Sequence, residues 1–92
     1  MAVLSYLKLS FEQEAQLKDA EADIDRLMEL AKTQRGYQSA EVLKAQKDPK
    51  VYVIISLWDS VEDIRAWEHH SDHARVMNRY AYKLDHKRYD SR

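Results

Sequence analysis

The segment VYVIISLW, residues 51–58, limits the fold more than any other part of the sequence. Its β-branched and aromatic residues are typical of a strand, in which successive side chains point to opposite faces. The side chains at 51, 53, 55 and 57 therefore share one face, and those at 52, 54 and 58 share the other. A strand with one face in water would show polar residues at every other position. Both faces of this strand are apolar, so we expect a layer of structure on each side.

The sequence before this strand predicts a strand, a helix and a second strand. Residues 2–10 alternate as a strand does. Ser10 and Gln13 have capping-box spacing, and apolar residues then recur at steps of three and four up to Ala31, with Gly36 just past the last turn. This pattern predicts a helix of about five to six turns. Residues 37–45 favour a weaker strand, and Pro49 indicates a turn before residue 51.

The sequence after this strand predicts a helix in two parts and a final strand. Ser60 is a helix cap, and Ile64 and Trp67 then form an inner stripe. Ser71 and Asp72 break this helix and begin a short one. Residues 80–89 alternate again and are rich in tyrosine, which favours a last strand.

The element order is β-α-β-β-α-β, which predicts a single α+β domain over residues 1–92 with a ferredoxin-like, four-stranded antiparallel sheet. Two helices cover only one face of such a sheet. The apolar second face then needs a partner, and a second copy of the chain is the economical one. We therefore expect a homodimer that packs sheet against sheet.

Composition excludes several classes of function. The chain has no cysteine, so it has no disulfide, thiolate nucleophile or thiolate metal site. Its formal net charge is -1 and its pI is about 6.4, which argues against a nucleic-acid or membrane partner. The first residues lack a basic leader, and no apolar run approaches the ~20 residues of a membrane span. These features predict a cytoplasmic protein.

The segment WDSVEDIRAWEHHSDH, residues 58–73, contains both tryptophans and three of the four histidines. His69, His70 and His73 form an H-H-x-x-H run that would share helix faces if the helix were unbroken. The break at Ser71 and the lack of a further ligand argue against metal. We therefore expect no metal site.

The longer run VYVIISLWDSVEDIRAWEHHSDHARVMNRY resembles the antibiotic biosynthesis monooxygenase family, whose members are small ferredoxin-like proteins that form dimeric α+β barrels. That resemblance implies a cavity between the helices and the sheet, with Trp67 facing it. Relatives include cofactor-independent monooxygenases of quinols or polyketides, haem-degrading enzymes and signal-molecule isomerases. The motif therefore specifies the fold better than the reaction.

The resemblance and the residue types together give a set of candidate site residues. His73 is the first candidate for proton transfer, because imidazole titrates near neutral pH, and a tyrosine such as Tyr82 would assist it. Each of these side chains also has an ordinary structural interpretation, as core, strand packing or surface. The candidate substrate-binding residues are Trp67, His70, Tyr6, Met77 and Asn78.

The haem-degrading relatives use an Asn on the first strand, the helical Trp and, ten residues later, a His that binds iron. Trp67 matches this pattern, but Met77 occupies the His position and the strand SYLKLS has no Asn. We therefore expect no cofactor, although a Met sulfur can bind haem iron.

The leading hypothesis is a cofactor-independent monooxygenase that binds a quinol-like or polycyclic aromatic molecule in an apolar pocket. Trp67 would hold the ring, and His73 would take or hold the phenolic proton while the anion reacts with oxygen. The alternative is a non-catalytic binding or stress-related module that uses the same pocket for a small hydrophobic ligand. Haem binding is the third hypothesis.

Overall fold

The computed structural model describes residues 2–80 and 83–91, with the backbone alone at residues 80 and 83. Its elements follow the predicted order, with the second helix divided in two. They are β1 (Val3–Ser10), a 3-10 turn (Glu14–Gln16), α1 (Leu17–Ala31), β2 (Tyr37–Lys44), β3 (Val51–Trp58), α2 (Val61–Glu68), α3 (Ser71–Tyr80) and β4 (Lys83–Asp90).

The four strands form one antiparallel sheet in the order β2-β3-β1-β4, so that β1 and β3 lie inside it. This is the predicted ferredoxin-like α+β fold. On β1 the side chains of Val3, Ser5, Leu7 and Leu9 are buried and the alternate ones are half-buried. The helices therefore cover one face of the sheet, called here the inner face.

The inner face and the helices share one hydrophobic core. Trp58, Leu9, Ile24 and Ile64 are its largest fully buried side chains. Ile24 belongs to the inner stripe of α1, together with Ala20, Leu27 and Ala31. Spacing by three and four places these residues on one side of the helix, as the sequence predicts.

The first helix begins later than predicted. Ser10 is the last residue of β1, and the backbone N–H of Gln13 donates to Oε1 of Gln16 at 3.3 Å. The capping interaction therefore lies one turn further along the chain. Ser10 still pairs with Val51 in the sheet, which holds its backbone extended.

The loop between α1 and β2 depends on Gly36. Its φ angle is +83°, a backbone conformation that side chains with a Cβ rarely adopt. A Cβ at this position would also collide with the carboxylate of Asp63. Gly36 therefore allows this loop to pack against the first turn of α2.

The second helical region follows the prediction closely. The hydroxyl of Ser60 accepts the backbone N–H of Asp63 at 3.2 Å, which confirms the predicted cap. α2 ends at Glu68 and α3 begins at Ser71, so the helix is broken as expected. The last strand begins at Lys83 and not at residue 80, because α3 continues to Tyr80.

The second face of the sheet, called here the outer face, is apolar at its centre and has no cover within the described residues. Leu4 of β1 pairs with Leu57 of β3, and Tyr6 pairs with Ile55. These side chains are half-buried, whereas Leu43 and Tyr89 are exposed. The apolar pattern predicted for both sides of residues 51–58 is therefore present.

Candidate active site

A small cavity lies between the inner face of the sheet and the three helices, beside Trp67. Its volume is about 20 Å³, which is room for about one water molecule. Much of its wall is apolar, with contributions from Leu7, Leu27, Met28, Ile54, Trp58 and Met77. Polar side chains nevertheless converge on it, namely Ser5, Ser56, Glu68, His73 and His86.

Trp67 is held by ring contacts on two sides. It is 5% exposed, since it belongs to the buried stripe of α2 with Ile64. Its ring stacks on Trp58 with centroids 6.2 Å apart, and His73 meets it edge-on at 5.1 Å. The indole N–H of Trp58 donates to the hydroxyl of Ser56 at 2.8 Å. The aromatic wall of the cavity is therefore fixed in position.

His73 is buried near the start of α3 and lines the cavity. Burial in an apolar environment disfavours the charged imidazolium, and this is the main reason that its pKa falls from 6.5 to about 4. The charge of Glu68 opposes this pKa shift, while His86 and His70 add to it. His73 is therefore neutral at pH 7, so that it can both donate and accept a hydrogen bond.

Glu68 and His86 form a second polar group that the sequence analysis missed. Glu68 directly follows Trp67, and its Oε2 lies 3.3 Å from Nε2 of His86 on β4. Its other oxygen pairs with Arg88. The two basic residues are far from Glu68 in sequence, and the register of β4 was needed to bring them together.

The remaining candidates differ in their positions. The ring of His70 lies 5.7 Å from that of Trp67, but its Nδ1 accepts the backbone N–H of Asp72 and it is not part of the cavity wall. Met77 is buried and lines the cavity. Tyr82 lies outside the described residues.

Tyr6 and Asn78 are not brought to this cavity, which corrects their placement in the sequence analysis. Tyr6 alternates with Ser5 and Leu7, so it points to the outer face, where Nζ of Lys87 lies 5.7 Å from its ring. Asn78 follows the buried Met77 on α3 and is exposed, since adjacent residues on a helix point in different directions.

The size of the cavity limits what it can hold without rearrangement. Pockets for small molecules usually enclose about 300–1,000 Å³. A porphyrin does not fit in the present space, although Met77 and His73 would supply donor atoms. Within residues 2–80 and 83–91, no group of three or more His, Asp or Glu side chains could hold a metal ion.

Comparison with known proteins gives the family. The model of the antibiotic biosynthesis monooxygenase family matches residues 5–79. The fold defines a ferredoxin-like α+β protein with a cavity between helices and sheet, and the chain belongs to the antibiotic biosynthesis monooxygenase family. The resemblance of residues 51–80 to that family is thus confirmed. No curated protein matches the chain.

Solved structures agree on the fold. A conserved protein from Methanosarcina mazei Go1 superposes with a TM-score of 0.88 at 10% identity, over 100% of this chain and 94% of that one. SnoaB, a cofactor-independent oxygenase from Streptomyces nogalater, gives a TM-score of 0.82 at 17% identity, over 99% of this chain and 93% of that one. At these identities the likeness shows the fold alone. Across the described residues, no helix is long and apolar enough to span a membrane.

Proposed function

We propose that this chain is a cofactor-independent monooxygenase whose substrate is a flat, electron-rich aromatic molecule of the quinol or anthrone type. The observation that carries the proposal is the convergence of several polar side chains on one cavity whose other walls are apolar and aromatic. A buried histidine such as His73 and a half-buried carboxylate such as Glu68 cost free energy in a core that serves packing alone. The fold that it shares with the oxygenase SnoaB supports the same conclusion.

The reaction needs no external reductant. Loss of a proton from an anthrone-type substrate gives an anion that transfers one electron to O₂. Recombination of the resulting radical with superoxide forms a C–O bond and, after protonation, a hydroperoxide. Loss of water then leaves a carbonyl on the ring. One oxygen atom enters the product and the other leaves as water, so the substrate supplies all four electrons.

In this proposal Trp67 holds the ring and His73 contacts its phenolic oxygen. A group with a pKa of about 4 accepts a phenolic proton poorly, because efficient proton acceptors have a pKa near the working pH. A neutral, buried imidazole is instead well suited to donate its N–H to the phenolate. We propose Tyr82 as a further partner of this oxygen, on the sequence argument alone.

Binding requires the cavity to open. Met77 and Met28 line it, and methionine side chains are flexible enough to repack around a ligand. The break between α2 and α3 lies beside the same cavity, since Trp67 and His73 are on either side of it. We propose that displacement of these methionines makes room for the substrate.

We also propose that two copies pack through their outer faces to form a homodimer, with one cavity in each subunit. Leu4, Ile55 and Leu57 form an apolar surface with a shallow groove that a second sheet would cover. Dimerisation would stabilise the sheet that carries Ser5, Ser56 and His86.

Oxygen uptake tests the proposed reaction. Purified protein without added metal or cofactor is mixed with anthrones and hydroquinones, and O₂ consumption and product are measured. We expect turnover that His73→Ala lowers at least about tenfold, since one well-placed donor contributes a factor of this size or more. The matched control is His69→Ala, whose side chain is exposed on the neighbouring turn and outside the cavity. No uptake above the rate in buffer would contradict the proposal.

A non-catalytic ligand-binding module is the second candidate. The observation in its favour is the volume of about 20 Å³, because Met77 and its apolar neighbours nearly fill the space. This candidate predicts that an aromatic molecule binds beside Trp67 and is recovered unchanged under oxygen.

A further inference from the structure

The side chain of Glu68 is more buried than its position at the end of a helix would require. Glu68 lies in the last turn of α2, yet its side chain is only 17% exposed and faces β4. There it pairs with Arg88 and lies 3.3 Å from Nε2 of His86. A carboxylate is rarely buried to this extent unless it is paired, and Arg88 and His86 are the partners that Glu68 has here.

The register of β4 directs these basic side chains inward. His86 pairs with Leu7 and Arg88 pairs with Ser5, and both Leu7 and Ser5 point to the helices. Directly opposite residues share a face of the sheet. β4 is an edge strand, and charged residues that point inward protect such strands from aggregation. An experiment must therefore separate this structural role of His86 and Arg88 from a chemical role.

Glu68 and His86 lie between the cavity and solvent. Both line the cavity beside Trp67 and His73, and both also line a surface groove of about 490 Å³ with His69, Lys87 and Arg88. A proton that Glu68 or His86 accepts from the cavity can therefore be released to solvent. His73 has no such position, since it lines the cavity and not the groove.

We propose that His86, oriented by Glu68, accepts the phenolic proton in the cavity. The inference rests on the proposed function and assigns its proton acceptor. With Nε2 turned to the carboxylate, the Nδ1 lone pair of neutral His86 receives the proton. The O–H bond of the substrate breaks and an N–H bond forms, and Glu68 stabilises the resulting imidazolium. Glu68 is a positioning residue, and Arg88 holds it in place.

Several charged or titratable groups face His86. Glu68 comes from the last turn of α2, His73 from α3, and Arg88 from β4 itself. Glu68 provides the opposite charge that a protonated imidazole needs. The neighbouring His73 stays neutral because burial depresses its pKa, so it does not compete for the proton at pH 7.

The test uses 2-naphthol, a flat phenol whose anion absorbs at longer wavelength than the neutral form. Binding is followed by quenching of tryptophan fluorescence, and proton transfer by the naphtholate band, both at pH 8. We expect wild type to bind 2-naphthol largely as naphtholate. His86→Gln and Glu68→Gln should bind it within about threefold of wild type but show at least about tenfold less naphtholate.

Two matched controls accompany these variants. His69→Gln removes an exposed histidine of the surface groove, and Glu29→Gln removes an exposed carboxylate on α1 that pairs with Lys32. Both should keep the naphtholate band. Circular dichroism checks the fold of each variant. Glu68→Gln preserves side-chain shape, so it carries the test if His86→Gln does not fold.

The outcomes separate this inference from the proposed function. Naphtholate that persists in both the His86 and the Glu68 variant, or that disappears only in His73→Gln, overturns the assignment of the acceptor while the pocket stands. Wild type that binds 2-naphthol in its neutral form overturns it as well. If wild type does not bind 2-naphthol at all, the proposed pocket fails and this inference fails with it.

Discussion

The inner and outer faces of the sheet both differ from those of a typical monomer, in which apolar side chains are buried and polar side chains face water. The inner face, which packs against the helices, carries Ser5, Ser56 and the partly exposed His86 toward a cavity. The outer face, which no described residue covers, presents Leu4, Ile55 and Leu57. Polar groups inside and apolar groups outside are both costly in an isolated chain. The difference supports the two proposals that the inner face serves chemistry and that the outer face serves association.

The largest expected effect is the loss of the proposed dimer when a charge is placed on the outer face. Ile55→Asp places a charge at its centre, opposite Tyr6 and Glu41 in the sheet. Two-fold symmetry buries two such unpaired carboxylates in the proposed dimer, each at a cost of several kcal/mol. We expect a dimer for wild type and a monomer for the variant by light scattering at micromolar concentration.

The control for this substitution is Ala22→Asp, which adds the same charge on the exposed side of α1. This variant should remain dimeric. A dimeric Ile55→Asp protein, or a monomeric wild type, would show that the outer face is not the interface.

The second prediction concerns the inner face. Met77→Ala should lower the free energy of unfolding by about 2–5 kcal/mol, because it leaves a void in the core. It should also raise the affinity for 2-naphthol, since the lost side chain occupies the proposed binding space. Urea denaturation and fluorescence titration measure the two effects.

Leu9→Ala is the matched control, because Leu9 is fully buried but does not line the cavity. It should lower stability without any gain in affinity. Equal loss of affinity in both variants would mean that the space beside Met77 is core and not a ligand pocket.

The third prediction is a pH dependence that comes from His73. Its pKa is about 4 in the fold and 6.5 in the unfolded chain, so the unfolded chain binds more protons between these values. Stability is therefore complete above pH 6.5 and falls as the pH drops toward 4, by up to roughly 3 kcal/mol.

His73→Phe cannot be protonated, so its unfolding free energy should change less over this pH range than that of wild type. Denaturation curves at several pH values give both slopes. His69→Gln should keep the wild-type slope. Identical slopes for His73→Phe and wild type would mean that His73 is not held neutral.

The smallest expected effect lies at the cap that positions Trp67. Ser60→Ala should cost about 1 kcal/mol, because the Asp63 N–H loses its acceptor. Hydrogen exchange should quicken in α2 while β3 keeps its protection. Equal acceleration in both elements would show that the cap acts on the whole fold and not on this helix.

Much of the fold was predictable because its signals are local. Alternation identified β3, spacing by three and four identified α1, and Ser60 identified the start of α2. The start of α1 was harder to predict, because Ser10 has the spacing of a cap but its backbone is committed to β1. Hydrogen bonding in the sheet outweighed the local capping signal.

The candidate site was only partly predictable, because its members come from distant segments. Trp67, His73 and Met77 are close in sequence and could be recognised together. The position of Tyr6 was harder to predict, because it depends on which face of β1 points to the helices. Glu68 and His86 meet through the register of β4, which no local pattern in the sequence specifies. An acidic residue directly after Trp67 was the one available signal.

The central claim is that the inner cavity, and not the outer face, receives an aromatic ligand. A crystal structure of the protein with 2-naphthol tests it most directly. We expect the ring against Trp67, displaced methionines, and the hydroxyl within hydrogen-bond distance of His73 or His86. A cavity that remains closed while the ligand lies on the outer face, or nowhere on the protein, would contradict it.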